Sequence, residues 1–162
     1  MATFKVSDGI DNYIRQLQNC ADKTENIIKR SAWEGARVVM DAVKAEANGI
    51  PTHGSTKGST DVIDGLTPTQ KAGVIASLGI AHFRQDGNFL NVKIGSDGYN
   101  TVYTKKYPKG QPNAMLIRSL ESGTSFRNPY PFVSRAVSKT RGKSIEAMRK
   151  QCDEEVKKIM QT

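Results

Sequence analysis

The chain has 162 residues, of which 37% are hydrophobic and 25% are charged. This size suits one domain with one modest core, and the charged fraction is that of an ordinary globular protein, which excludes wholesale disorder. The longest weakly apolar run, residues 73–81, is far shorter than the roughly 20 residues of a membrane-spanning helix. The N-terminus lacks the apolar segment of a signal peptide, so we expect the mature chain to begin in the cytosol.

Positive charge is concentrated in one stretch. The net charge is +8, and residues 98–145 contain nine lysines and arginines but a single acid, Glu121. A local basic field attracts phosphate backbones or acidic protein surfaces, and the alternative is a solvated face without a dedicated partner. The candidate DNA- or partner-facing residues are Lys105, Lys106, Lys109, Arg135, Lys139, Arg141 and Lys143.

Residues 7–48 carry a pattern that predicts one long helix. Apolar or small residues recur in steps of three, four and seven, at Ile10, Ile14, Leu17, Ala21, Thr24, Ile28, Gly35, Val39 and Val43. An unbroken helix would be roughly 60 Å long, and the alternative is a break near Ser31 or Gly35. Because such a rod cannot bury its whole stripe in one small domain, we expect it to protrude or to pack on a neighbouring subunit.

The next segment, residues 51–64, is rich in Gly, Ser and Thr and predicts a flexible surface loop. A short helix then begins with Thr67 as N-cap and Pro68 at the first helical position. Gln70 completes a capping box, and Gly79 is expected to end the helix.

Alternating apolar residues predict a β-hairpin after this helix. Strands at residues 80–85 and 88–94 flank Asp86-Gly87, a pair that favours the tight turn matching the twist of paired strands. A third strand is expected at residues 99–104.

Two helices complete the chain. Asn113 begins a short one that stops at Gly123, and a final helix spans residues 131–160. The final helix has an apolar stripe formed by Ile145, Met148, Cys152, Val156 and Ile159. The sequence therefore predicts a single α+β domain over 1–162. It has a long N-terminal helix, a small antiparallel sheet with short helices over 65–128, and a C-terminal helix packed on the sheet.

The sequence does not contain a recognisable catalytic or metal-binding constellation. His53 and His82 lack partners at metal-ligand spacing, and Cys20 and Cys152 are expected to be reduced, half-buried thiols. Gly142-Lys143-Ser144 ends like a phosphate-binding loop, but the required first glycine is Val137. We expect a protein that is not an enzyme, with no cofactor, metal or small-molecule substrate.

Two blocks of sequence carry family character. The first consists of residues 65–71, 77–81, 92–95 and 97–100; the second consists of residues 120–125 followed by Pro129, Pro131, Phe132 and Ala136. Together they resemble the head–tail joining, or tail-completion, proteins of lambdoid long-tailed bacteriophages and prophages. Many such proteins enter the first loop through an Ala-Pro-x-x-Thr-Gly pattern before an apolar strand. Here residues 49–54 lead into a longer polar insertion, so the first strand of that family's sheet is in doubt.

The resemblance implies assembly rather than chemistry. Such neck or minor tail proteins are virion structural subunits that form a ring between head and tail tube and contact other neck and tail proteins. They are located in the virion, and in the host cytoplasm during assembly. The residues that match the closing motif, and are candidates for an interface, are Glu121, Gly123, Thr124, Pro131 and Phe132. The alternative for this block is a helix–loop–helix junction, and the alternative function is a nucleic-acid-binding module that uses the basic residues of 105–143.

Overall fold

The structure, a computed structural model, describes residues 7–54, 61–87 and 89–161. Its elements are α1 (Ser7–Asp22), α2 (Thr24–Asn48), α3 (Pro68–Ser77), β1 (Leu78–Ile80), β2 (Arg84–Asp86), β3 (Phe89–Asn91), β4 (Ile94–Ser96), α4 (Asn113–Ser122) and α5 (Phe132–Met160). The strands form two antiparallel pairs, β1 with β4 and β2 with β3. The predicted α+β class, with long helices at both ends of the chain and a small antiparallel β region between them, is confirmed.

The N-terminal helical segment breaks at Lys23, so the predicted break near Ser31 or Gly35 is wrong. Ser31 remains helical and donates its hydroxyl hydrogen to the carbonyl oxygen of Ile27 at 2.8 Å. Gly35 lies where α5 packs against α2, and a Cβ atom there would approach Cγ of Met148 to 2.5 Å. The glycine is therefore explained by close packing of two helices rather than by a break in the chain.

Helix α5 has nearly the predicted bounds of 131–160 and runs antiparallel along α2. Midway along the pair, the hydroxyl of Ser144 donates to the carbonyl oxygen of Gly35 at 2.9 Å. Closer to the beginning of α2, Arg30 forms an ion pair of 2.9 Å with Glu155, near the end of α5. These contacts set the register of the two longest helices.

The face that α5 turns toward the fold differs from its predicted apolar stripe. Ile145 and Val156 are 39% and 37% exposed, whereas Ser144 and Glu155 are buried together with Ile159. The predicted inward positions of Ile145 and Val156 are therefore wrong, whereas Ile159 is buried as predicted and Met148 lies against Gly35 of α2. Burial of the two polar side chains is tolerated because each one has a hydrogen-bonding partner on α2.

Helix α3 begins with the predicted capping box. The N–H of Gln70 donates to the hydroxyl oxygen of Thr67 at 3.3 Å, and the N–H of Thr67 donates to Oε1 of Gln70 at 3.0 Å. From the same turn, the ammonium of Lys71 donates to the carbonyl oxygens of Asn48 and Ile50. Since carbonyls at a helix C-terminus lack partners within the helix, Lys71 ties α3 to the end of α2.

Much of the predicted flexible loop at 51–64 lies outside the described residues, which omit 55–60. The flanking backbone is paired: the N–H of His53 donates to the carbonyl oxygen of Leu66 at 3.1 Å. Gly65 makes this approach possible with a φ of 67°, where a Cβ atom would collide with the neighbouring backbone.

The predicted hairpin is present as two short ladders. β1 pairs with β4 through Leu78 and Ser96, and β2 pairs with β3 next to the turn at Gly87, which has a φ of 61°. The predicted third strand at 99–104 is wrong, because these residues form a loop around the buried side chain of Asn100. Oδ1 of Asn100 accepts the backbone N–H groups of the loop and so replaces strand pairing.

The core lies where the C-terminal half of α2 meets α3, β1, α4 and the beginning of α5. Its buried members are Met40, Val43, Ala47, Ile50, Leu66, Val74, Leu78, Leu116, Leu120, Phe132 and Ala136. All the α2 members of this cluster follow residue 39, so α1 and the first half of α2 extend beyond it.

Candidate interaction surfaces

The closing motif builds the junction between α4 and α5. The carboxylate of Glu121 accepts the N–H of Val133 at 2.7 Å, together with the N–H and hydroxyl of Ser134 at 3.2 and 2.6 Å. The first N–H groups of a helix lack partners within it and carry a partial positive charge, so a carboxylate stabilises this end. Glu121 thus caps α5 across the connecting loop.

The other motif residues shape the same connection. Gly123 ends α4 with a φ of 70°, and Thr124 pairs its backbone N–H and C=O with those of Arg127. Pro131 directly precedes α5, and the side chain of Phe132 is completely buried in the core. In this fold Phe132 has no free surface for a partner, whereas Thr124 is exposed.

Two of the seven basic candidates are paired within the chain. Glu46 of α2 forms ion pairs with Lys139 at 2.5 Å and with Arg135 at 3.4 Å. The hydrogen bond from Lys139, with the charges of both bases, outweighs desolvation and holds the pKa of Glu46 below its ordinary value. The guanidinium of Arg135 also lies 4.2 Å from the ring centre of Tyr130.

The remaining five basic candidates are exposed. Lys105, Lys106 and Lys109 lie in the loop before α4, whereas Arg141 and Lys143 lie in the middle of α5. None of the five forms an ion pair with another described residue. The structure thus divides the predicted basic stretch into a loop group and a helix group.

Arg127 belongs to the same basic stretch, but its side chain makes a contact within the fold. It is buried, and its guanidinium donates to the carbonyl oxygen of Gly65 at 2.6 Å. Burial lowers the pKa of this guanidinium. Nothing in the sequence distinguished it from the exposed bases, because its role depends on a contact between segments far apart in the chain.

The most distinctive surface is an apolar strip along α1 and the beginning of α2, formed by Ile14, Leu17 and Ile28. These side chains are 46%, 48% and 47% exposed. The opposite side of α1 faces the end of α5, where the amide of Gln16 donates to the carbonyl oxygen of Met160 at 2.8 Å. The predicted stripe of the first helix therefore points away from the fold's own core over this part of its length.

Next to the strip lies a groove between the α1–α2 junction and the β2–β3 hairpin. This acidic groove has a volume of about 520 Å³ and is lined by Ala21, Asp22, Thr24, Glu25, Ile28, Gln85 and Leu90. Both acids are exposed; Glu25 forms an ion pair with Lys29 one turn further along α2. The groove combines apolar side chains with negative charge.

A second exposed surface follows the outer side of α5. This basic ridge consists of Val137, Arg141, Ile145 and Arg149, spaced four residues apart, and all four are exposed. Side chains at this spacing form one of the ridges by which helices pack on each other. Neither arginine forms an ion pair with a described residue.

Other chemistry is sparse in the part of the chain that the structure describes. No group of three or more His, Cys, Asp or Glu residues there could hold a metal ion, and no helix there is both long and apolar enough to cross a membrane. Cys20 and Cys152 are unpaired and half-buried. Comparisons with family models, curated proteins and solved structures give no match for this chain.

Proposed function

We propose that this chain is a non-enzymatic structural subunit of the neck or tail-completion region of a long-tailed bacteriophage. It assembles with copies of itself, as a ring, and with other neck and tail proteins between the head and the tail tube. The observation that carries this proposal is the apolar strip of Ile14, Leu17 and Ile28, which the fold leaves uncovered. The site of action is the virion, reached from the host cytoplasm during assembly.

The strip supports assembly for an energetic reason. Burial of apolar surface contributes about 25 cal/mol per Å², so a partner that covers three large side chains gains several kcal/mol. Single exposed apolar residues are normal, but a group of large ones is typical of an interaction surface. The strip lies on a helical segment that extends beyond the core, which gives a partner access to it.

The resemblance supports the particular setting. The residues that carry it build the α3 capping box, the β1–β4 ladder and the α4–α5 junction. A protein with a related fold would contain these features in the same order along its chain. The proposal of a neck or tail-completion role rests on this resemblance together with the uncovered strip.

A second candidate function is binding of nucleic acid, favoured by one observation. The loop group of Lys105, Lys106 and Lys109 carries no ion pair to a described residue and follows two exposed aromatic residues, Tyr99 and Tyr103. Lysines beside exposed aromatic rings can contact phosphates and stack on bases. In a ring subunit, the same loop would contact DNA without sequence preference.

The decisive experiment examines virions from the host that carries the gene. We expect mass spectrometry to find the protein in purified virions, and disruption of the gene to leave heads and tails unjoined. Neighbouring genes should encode a portal, a capsid and a tail tube. Normal virions without the protein would contradict the proposal. Salt-sensitive retention of duplex DNA by a chain absent from virions would favour the second candidate.

A further inference from the structure

The acidic groove is a concave surface and the basic ridge is a convex one. The helical lining of the groove runs from Ala21 to Ile28, on both sides of the break at Lys23, and Gln85 and Leu90 of the hairpin line the opposite side. The ridge extends from Val137 to Arg149, about 18 Å of helix at 1.5 Å per residue. A row of side chains spaced four residues apart is what a helix inserts into a groove on its neighbour.

Their charges are also complementary. Asp22 and Glu25 are the charged residues that line the groove. Arg141 and Arg149 alternate with Val137 and Ile145 on the ridge, and neither arginine has an acidic partner among the described residues. Contact between the two surfaces would cover apolar side chains on both and give two arginines acidic partners. Opposite charges across an interface favour association and set its register.

We infer that the acidic groove of one copy of this chain receives the basic ridge of a second copy. This inference rests on the proposed function, for which it names the contact between subunits. The two surfaces share no residue and belong to different elements, so a chain whose groove is filled still presents its ridge. Such contacts are head-to-tail, and a series of them closes into a ring when the rotation between copies permits.

The test uses two charge-reversal variants of the full chain. The groove variant is D22K/E25K and the ridge variant is R141E/R149E; all four side chains are exposed, so circular dichroism should show unchanged folds. Sedimentation equilibrium at low salt should show that each variant alone associates at least about tenfold more weakly than the natural chain, because like charges then meet. Mixing the two variants should restore association, because both possible contacts between them join opposite charges.

Matched controls separate this contact from a general effect of charge. D41K/D97K and K44E/R118E make the same net changes at exposed positions outside both surfaces and should associate like the natural chain. Controls that weaken association equally, or a mixture that fails to recover it, would overturn the pairing. So would a ridge variant that assembles normally, since another partner would then fill the groove.

The experiment also separates the two levels of the proposal. If the natural chain assembles but neither variant changes its association, the groove–ridge contact is wrong and the proposed function stands. If the natural chain remains monomeric at every concentration, alone and with isolated tails, the proposed assembly itself is contradicted.

Discussion

At the scale of single residues, the side chains of the closing motif act mainly within the fold, and so does Arg127, which the sequence did not single out. Glu121 caps α5, Phe132 fills the core, and Arg127 holds the carbonyl of Gly65. Each of these contacts joins segments that are separate in the chain. Motif residues can therefore indicate a common fold without themselves contacting a partner.

Replacement of Glu121 by alanine tests the capping role. It removes three hydrogen bonds to the beginning of α5, and we expect a loss of about 1–2 kcal/mol in the free energy of unfolding. Urea denaturation measures the change. Glu146→Ala, which removes an exposed acid further along α5, should stay within about 0.5 kcal/mol of the natural chain. Equal effects of the two substitutions would refute the cap.

At the scale of elements, the close pairing of α2 and α5 determines which residues are buried. Gly35 allows α5 to approach, Ser144 donates a hydrogen bond to its carbonyl, and Ile145 consequently faces outward. The orientation of α5 that buries Ser144 leaves the basic ridge exposed. The contact between Gly35 and Ser144, midway along the two helices, thus determines which side of α5 is available to partners.

Gly35→Leu tests this packing. The added side chain would meet Met148 and Ser144, and overpacking of this kind costs about 1–3 kcal/mol of unfolding free energy. Shortening the opposing residue, in G35L/M148A, should recover part of the loss. Gly142→Leu is the matched control: no atom lies within 4 Å of its Cβ position, and the better helix former should stabilise the chain slightly. A harmless Gly35→Leu would show that the helices are not closely packed there.

At the scale of the whole molecule, two carboxylates join the long helices at separate points. Glu46 has its pKa lowered mainly by the hydrogen bond from Lys139. Burial pushes the pKa of Glu155 up, but the hydrogen bond and charge of Arg30, with those of Lys158, outweigh it, and this pKa also lies below its ordinary value. Both ion pairs therefore depend on the carboxylates remaining ionised.

Acid should weaken the fold through these two groups. The unfolded chain takes up their protons at a higher pH than the folded chain does. Their stabilisation is thus complete above the ordinary pKa of 4.5 and is lost as pH falls through the lowered values. Urea unfolding midpoints measured from about pH 7 down to about pH 3 should fall, and should fall less in E46Q/E155Q. Identical acid dependence of both chains would contradict this assignment.

Short sequence patterns predicted several local features of the structure correctly. The capping box at Thr67 and the turn at Gly87 depend on neighbours within a few residues. The excess apolar surface of the first helix also followed from its length, and the exposed strip agrees with it. The sequence by itself therefore determined the α+β class, most of the elements and the presence of uncovered helix surface.

Contacts that periodicity does not encode decided the rest. The hydrogen bonds of the Asn100 side chain replace a third strand, and the contact of Ser144 with Gly35 determines which face of α5 turns inward. The break at Lys23 was not indicated by the periodicity either. A helical pattern specifies which residues share a face, but not which of two adjoining faces a partner covers. Only the tertiary structure placed the acidic groove and the basic ridge on separate elements. Each surface consists of the side chains that packing of the core leaves exposed.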